Sequence, residues 1–579
     1  MILPENIQTM LKNYQGILET WFSEQLYRRF VSKHTGHLLV QLNARLKLDE
    51  VEKACAGYYH QSGAGRPVWH GIKRLVRGVL VRSLYGYSLR ETEQAINGNL
   101  FIKWYVGYGV FESGPDHSTL EDFELWLLRE KKRLLFDEVL RQIEEDYPEE
   151  RGMVQIGDTY AMEANAAREN LVPRLRHASE RLLREYQAAG WVDHGNSLSG
   201  MDWLGLFGSP KEVDEVFLDK AKRQMRLQTT VLAVLNLLGR VEQVLAGCPS
   251  TEYPLVRLWV GYMRKIITDE CQVVEGKSVT ELRNKDKGDF RIISTTDPEA
   301  TFRKHGEAPE DTVMGYNVQL AATASGFIRE TQAYTGATPD QSGIPDLVAV
   351  QQEEQGCCPD KIVYDSVAGT GKCRDEVAQA SAGQTQIVAK LLPYDVRSRF
   401  GPYDFILSED GQTLTCPNGK CSTAAYTSPT GDGRNFRFYA CQCWQGEVPT
   451  RMKTADCAQR CPLWEQCRDS RQGPGAMRQV FISDYRQQVL DAQIFNQSAI
   501  FKLYMKLRPR IERVIFELTA YNGARRCTRR GLAAADFQAK MAATAYNLKL
   551  WLRKLNLSSR PRRSWRVPGN VLPGVNDAS

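Results

Sequence analysis

The chain has 579 residues, 42% hydrophobic and 25% charged, with 75 Lys and Arg against 69 Asp and Glu, a formal balance of +6. That length exceeds what one hydrophobic core supports, which predicts several domains and excludes a small disulfide-stapled scaffold. Met1-Ile2-Leu3-Pro4-Glu5 lacks a basic region followed by an apolar run, and no uninterrupted apolar stretch approaches the length of a membrane span, so a soluble cytoplasmic protein with no membrane partner is the expectation.

Residues 1–150 carry apolar positions at helical spacing and few strand-like runs, predicting a helical N-terminal domain. Ser88-Leu89-Arg90-Glu91 and Ser118-Thr119-Leu120-Glu121 match the capping-box pattern, each after a loop signal at Gly86 or at Gly114-Pro115-Asp116. Short capped helices of this kind suit a DNA-binding helix-turn-helix and a plain packing bundle alike.

A strand through Met153-Val154-Gln155-Ile156-Gly157 delivers Asp158 and opens a second region, 151–400. Helical stretches from Val213 to Leu238 and from Leu255 to Ile267 form an insertion over about 165–290. Val318-Gln319-Leu320-Ala321-Ala322 and Phe327 to Ala333, joined through Ser325-Gly326, read as an antiparallel hairpin. A strand through Lys361-Ile362-Val363-Tyr364 then delivers Asp365, and Thr385 to Lys390 supplies another.

Composition shifts at 401–475, a stretch rich in Gly, Pro, Ser and Asp that reads as an inserted lobe. It holds seven of the 14 cysteines: Cys416, Cys421, Cys441, Cys443, Cys457, Cys461 and Cys467. No His lies among them, so thiolates alone would hold any metal there, as a tetrahedral structural Zn²⁺ site. The spacing contains no CxxC pair, and reduced thiols packing a small lobe are the equal alternative.

From Asp484 the pattern is helical again, over a region taken as 476–557. Between Phe501 and Arg566 there are 17 Lys and Arg against Glu512, Glu517 and Asp536, a local balance of +14 that leaves −8 for the remainder. A polyanion would bind there through phosphate contacts, with Arg508, Arg510, Arg513, Arg525, Arg526, Arg529 and Arg530 as the candidate residues. Tyr504, Phe516, Tyr521, Trp551 and Trp565 are interleaved and read mostly as helix core. Residues 558–579 form a basic tail that reads as disordered.

Ile511, Val514, Ile515 and Leu518 make one apolar stripe, and Glu512 lies off it. Pro509 suits a first helical turn, which places Glu512 near the positive end of the helix dipole, while disfavouring helical geometry at Arg508. Asp158, Asp365 and Glu512 come from distant parts of the chain, and carboxylates gathered in that way can hold two divalent metals for phosphodiester cleavage. Taken singly, a strand-end Asp is a cap or turn residue and a Glu on a basic helix is an ion-pair partner for Arg508 or Arg513. Glu517, Asp297 and Asp340 are the rival carboxylates.

Six blocks in order carry a resemblance. Leu84-Tyr85-Gly86-Tyr87-Ser88-Leu89-Arg90-Glu91-Thr92-Glu93, Pro115 to Phe123, Asp158 with Glu163-Ala164-Asn165-Ala166, Asp297-Pro298-Glu299-Ala300 with Gly315-Tyr316-Asn317-Val318-Gln319, Asp365, and Arg508 to Glu512 with Asn547-Leu548-Lys549 are similar to the blocks of bacterial insertion-sequence transposases of the DDE type. The specific likeness is to the group numbered eleven-eighty-two, related to the IS-four superfamily, from about residue 67 to about 556. Thr159 and Tyr160 replace the usual Gly and Thr, Ser366-Val367-Ala368 stands where a Gly-Tyr is common, and Thr519 occupies the position of a common Lys.

The resemblance implies a mixed α+β or α/β fold: an RNase H-like core with a helical N-terminal domain, a helical insertion and the Cys-rich insertion. It implies two Mg²⁺ ions, with Mn²⁺ able to substitute, on Asp158, Asp365 and Glu512, with Asp158 shared between them. The implied activity is DNA strand cleavage and strand transfer at terminal inverted repeats. Double-stranded DNA would be the partner, a dimer the form in the DNA complex, and the bacterial nucleoid the location. A DNA-binding relic without catalysis, and a metal-dependent nuclease that cuts without joining, are the alternatives.

Overall fold

The computed structural model describes residues 5–558 except 60–68, 191–197, 215–216, 275–277, 305–311, 392–398, 428–430, 440–460 and 469–476. Cys441, Cys443, Cys457, Trp565 and the tail from residue 559 lie outside the described residues.

The N-terminal region is helical, including Ile72–Tyr85, Leu89–Gly98, His117–Glu130 and Leu134–Asp146. Ser88 caps Leu89–Gly98 as its sequence predicts: its hydroxyl accepts from the Glu91 N–H at 3.2 Å, and the Glu91 carboxylate accepts from the Ser88 N–H at 2.7 Å. The second box does not form. Asp116 caps His117–Glu130 instead, accepting from the Thr119 N–H at 2.7 Å, because a carboxylate is the stronger acceptor at the positive end of a helix.

Eight strands follow: β1 (Gln155–Glu163), β2 (Cys271–Val274), β3 (Ser278–Glu281), β4 (Thr301–Lys304), β5 (Thr312–Thr323), β6 (Ile328–Thr335), β7 (Lys361–Val363) and β8 (Gln386–Val388). The central sheet runs β6, β5, β1, β7, β8, with β4 on the first residues of β5 and the β2–β3 hairpin separate. β5 is antiparallel to β1 and β6, whereas β7 is parallel to β1 and β8 parallel to β7. From Gly315 to Thr323 every residue of β5 is buried, the pattern of a strand covered on both faces. One face packs Ile156, Tyr160 and Val318 against Ile511, Val514 and Leu518, and the other packs Ala321, Ile362 and Tyr364 against Ile344, Leu347 and Val348.

The insertion between β1 and β4 has its own core, made by helices Leu171–Ala188, Lys220–Ala246 and Pro254–Glu270. The middle helix begins later than the sequence suggests, at Lys220, because Asp219 caps it by accepting from the Lys222 N–H at 2.8 Å. Among the described residues, Lys220–Ala246 is long and apolar enough to cross a membrane by length and composition alone, although polar and charged residues such as Gln228, Asn236 and Arg240 interrupt it. Its Leu227, Val231, Val234, Leu238 and Val241 are buried in the insertion core. The Cys-rich stretch forms four strands of a second, five-stranded sheet, Ile406–Leu407, Thr413–Thr415, Cys421–Thr427 and Gly433–Phe438, and the region after it supplies the fifth, Arg478–Ser483, around Phe405, Leu414 and Phe436.

Helix Leu532–Ser558 carries apolar residues on more than one side, as a helix packed between two cores must. Ala535, Ala539 and Tyr546 join the sheet core, while Phe537, Met541, Leu548 and Trp551 join the core of the N-terminal helices. Its two buried charges are paired: Lys540 with Asp536 at 2.9 Å, and Asp536 also with Lys132 at 2.7 Å. Burial pushes the Asp536 carboxyl up, but Lys540 and Lys132 outweigh it and hold the group below its ordinary value. Asp536→Ala leaves two cations without their carboxylate and is expected to cost about 3–5 kcal/mol at neutral pH, read from urea midpoints. Because the folded pKa is depressed, that contribution is complete above the ordinary value of 3.8 and is lost as pH falls below it, so the gap between wild type and variant narrows there.

Candidate functional site

Alternation along β1 sends Ile156, Asp158 and Tyr160 to one face of the sheet and Thr159 to the other. Ile156 pairs in parallel with Val363 of β7, so Asp365, two residues beyond β7, follows in register beside Asp158. Asp365 caps the short turn Ser366–Gly369, accepting from the Val367 N–H at 3.1 Å. The third carboxylate comes from helix Pro509–Tyr521, with Glu512 in its first turn, 64% exposed and off the stripe of Ile511, Val514 and Leu518. The segment that follows this helix is stitched to the end of β1: the Glu163 N–H donates to the Arg525 carbonyl at 2.9 Å, and the Cys527 N–H to the Glu163 carbonyl at 2.8 Å. Strand and helix are thereby locked together across more than half of the chain.

Arg508 sits between two of the carboxylates. One guanidinium nitrogen lies 3.1 Å from Asp158 Oδ2 and another 3.0 Å from Glu512 Oε1. Pro509 leads one to expect Arg508 outside helical geometry; instead its φ of −50° and ψ of −43° are helical, and the guanidinium reaches back along the helix to both acids. Burial raises the Asp158 carboxyl above its ordinary value, Arg508 and the Thr159 N–H oppose this, and Asp365 and Asp340 add to it. Among the described residues no three His, Cys, Asp or Glu side chains stand close enough to hold one ion in this arrangement, with the guanidinium in place.

Asp340, a rival in the sequence, is a neighbour of the site. Its carboxylate accepts from Asn317 Nδ2 at 2.7 Å and lies 3.6 Å from an Arg303 guanidinium nitrogen, which also donates to Thr159 Oγ1 at 2.8 Å. Arg303 had no sequence signal; Asn317 and Gln319, two apart on β5, had one in their period-2 spacing. Thr159, a departure from the usual Gly, is the acceptor that Arg303 uses. The other rivals are engaged elsewhere: both Asp297 oxygens accept from Tyr316 OH at 2.7 Å, and Glu517 pairs with Arg513 and Arg553.

The predicted basic residues divide. Arg529 pairs with Glu124 at 2.8 Å and is 16% exposed, so its charge is spent inside the fold, as is that of Arg508. Arg510 donates to the Ala324 carbonyl, and Arg530 to the Asn165 carbonyl. Arg513, Arg525 and Arg526 are exposed. Of the aromatics, Trp551 is buried and donates to Asp146, whereas Phe516 and Tyr521 are exposed and meet edge to face. In the Cys-rich lobe, burial pushes the Cys467 thiol up to about 11, with Cys416 and Cys461 near enough to add to the rise.

Gly157 leaves no room for a side chain beside the residue that precedes Asp365. A Cβ there would meet the Tyr364 ring at 2.1 Å. Gly157→Ala must displace the ring that precedes Asp365, an overpacking expected to cost about 1–3 kcal/mol, read as a lowered urea midpoint.

Two family models match the chain: Transposase domain (DUF772) over residues 27–124 and Transposase DDE domain over residues 415–552. The second contains Glu512, and neither covers Asp158 or Asp365. No curated protein and no solved structure matches the chain. A transposase domain thus matches near one end of the chain and a transposase DDE domain near the other, and together they support an insertion-sequence DDE transposase.

Proposed function

We propose that the chain cleaves DNA strands and joins the freed ends to target DNA at the terminal inverted repeats of an insertion sequence, with Asp158, Asp365 and Glu512 as its metal-binding carboxylates. The observation that carries this reading is Arg508: one guanidinium spans Asp158 and Glu512, while Asp365 stands beside Asp158 at the end of the neighbouring strand. The strand order, three antiparallel strands followed by two parallel ones, supports an RNase H-like core. The group-level resemblance, the DNA-binding role of the N-terminal helices and a dimer that pairs two element ends belong to the same proposal.

The donor set fits hard divalent cations. It consists of carboxylate oxygens, it crowds negative charge at Asp158, and it now draws its compensation from a guanidinium. Asp158, Asp365 and Glu512 would hold two Mg²⁺ ions, or Mn²⁺ in their place. When bound, these ions activate a water or 3′-hydroxyl nucleophile and neutralise the leaving oxygen.

The protein's own groups prepare that chemistry. β1 and β7 fix two carboxylates on a rigid sheet, and the backbone bonds of Glu163 hold the helix that brings the third. Arg508 neutralises the cluster before cations arrive and is then free to turn to a DNA phosphate. Thr159 and Asp340 hold Arg303 across the sheet.

Asp158→Asn is expected to drop cleavage of a plasmid bearing the element ends to background, while duplex binding stays within about twofold because phosphate contacts carry it. Loss of binding in that variant would make Asp158 structural. Arg508→Gln removes the competing cation and is expected to tighten Mn²⁺ binding several-fold at pH 8 by calorimetry. One observation favours a second reading, DNA binding without catalysis: the three carboxylates do not form a ready metal site with Arg508 in place. Failure of Arg508→Gln to bind Mn²⁺ any better, with no cleavage by wild type, would select that reading.

A further inference from the structure

A cleft of about 1140 Å³ opens between the helical insertion and the sheet. Eight of its lining residues are Lys or Arg and three are Glu, a balance of +5. The three carboxylates are already engaged: Glu169 accepts from the Thr295 N–H and contacts His177, Glu270 pairs with Arg174 and Lys287, and Glu281 pairs with Lys287. Among the described lining residues, the charge that remains toward solvent is cationic. Arg168, Lys220 and Lys304 are exposed and, together with half-buried Arg291, have no ion pair among the described residues. Arg168 and Arg291 both lie over the Phe302 ring, 5.2 and 5.7 Å from its centre, so one aromatic platform holds two guanidinium groups that repel each other until an anion joins them.

The cleft is placed on the carboxylate side. Phe302 and Lys304 alternate with Arg303 along β4, and Phe302 pairs with Met314, which shares its sheet face with Tyr316, Val318 and Leu320. Leu320 is the partner of Asp158. From Leu320 to Met314 is six residues along β5, roughly 20 Å at strand rise. That is less than one turn of a DNA duplex, about 34 Å. A duplex carries a phosphate charge every ~1.7 Å of axis, so a single straight segment could meet the carboxylates and the cleft together.

We infer that this cleft is a binding site for the phosphate backbone of double-stranded DNA, held by Arg168, Lys220, Arg291 and Lys304, a site distinct from the basic C-terminal helices. The inference rests on the reading of the chain as a DNA-acting enzyme. Four cations without an ion pair among the described residues, beside acids that are engaged, describe a surface that gains most from a polyanion releasing counterions, and that reads no base.

The test uses the full chain and a fluorescent 30-base-pair duplex of random sequence, with binding followed by anisotropy from 50 to 300 mM NaCl. For the variant R168Q/K220Q/R291Q/K304Q, affinity at the lowest salt is expected to fall at least about tenfold, and the slope of log K against log salt to shrink by about 3–4, close to 0.9 for each phosphate that the variant no longer neutralises. Should that variant fail to fold by circular dichroism, K220Q/K304Q, both on exposed side chains, carries the test with an expected slope change of about 2. Wild-type binding with an unchanged slope in the folded variant overturns the cleft and leaves the DNA-acting reading in place. No duplex binding by wild type at any salt overturns both.

Discussion

Glu330 has no exposure to solvent, and neutralising its carboxylate inside the fold organises much of what surrounds it. Arg133, from the N-terminal helices, donates to both of its oxygens at 2.9 and 3.1 Å, and Lys540, from the C-terminal helix, lies 3.7 Å away. Lys540 also donates to the Thr331 carbonyl at 2.6 Å, and Asp536 accepts from the Ala333 N–H at 3.0 Å. Three separately coded pieces are thus held by directional contacts where apolar packing alone would let a smooth Ala-rich helix slide or rotate. Such a set contributes little net stability against well-packed apolar residues, yet removing one member strands the rest in a low dielectric. Its role is positional: β6 cannot shift against helix Leu532–Ser558, and β5 and β1 are hydrogen-bonded to β6 in turn.

On that fixed sheet the carboxylates are a deliberate electrostatic cost. Burial, Asp365 and Asp340 all raise the Asp158 carboxyl, so its ionisation opposes folding, and the destabilisation grows as pH rises through the range above its ordinary value. Arg508 offsets part of this with contacts of 3.1 and 3.0 Å, and its position one residue before the helix that carries Glu512 makes the compensation intrinsic to that helix. A cation at this place offsets the charge that burial and the neighbouring acids make costly. The same charge explains why a guanidinium and a divalent ion would compete for this place.

Much of this was legible in the sequence, for identifiable reasons. The β5–β6 hairpin showed itself through two apolar runs around Ser325-Gly326, and the Ser88 cap through a local pattern only four residues long. Asp158, Asp365 and Glu512 stood out by their settings at strand ends and on a helix start, and the structure brings the first two into adjacent register. Local signals failed where a stronger tertiary or charged competitor won. Asp116 displaced Ser118 as a cap, and Arg508 kept helical geometry before a proline because two carboxylates wait at the end of its side chain. Arg303 was illegible because its partners, Thr159 and Asp340, are 144 and 37 positions away in sequence and meet only across the sheet.

Charge counted along the chain likewise misplaces charge available in space. The C-terminal segment holds +14 by sequence, but Arg508 and Arg529 answer Asp158, Glu512 and Glu124, Arg553 answers Glu517, and Lys540 answers Asp536. Glu512, Glu517 and Asp536 are the segment's own acids, whereas Asp158 and Glu124 are contributed by other regions, so part of the surplus is counter-charge closed inside the fold. The insertion shows the converse. Its acids bind its own Arg174 and Lys287, and four cations near Phe302 are left without partners among the described residues. A region whose composition drew no attention therefore presents more uncommitted positive charge on the carboxylate face of the sheet than a tally of its residues suggests, and the surface that a polyanion meets is decided by which ion pairs the fold has already closed.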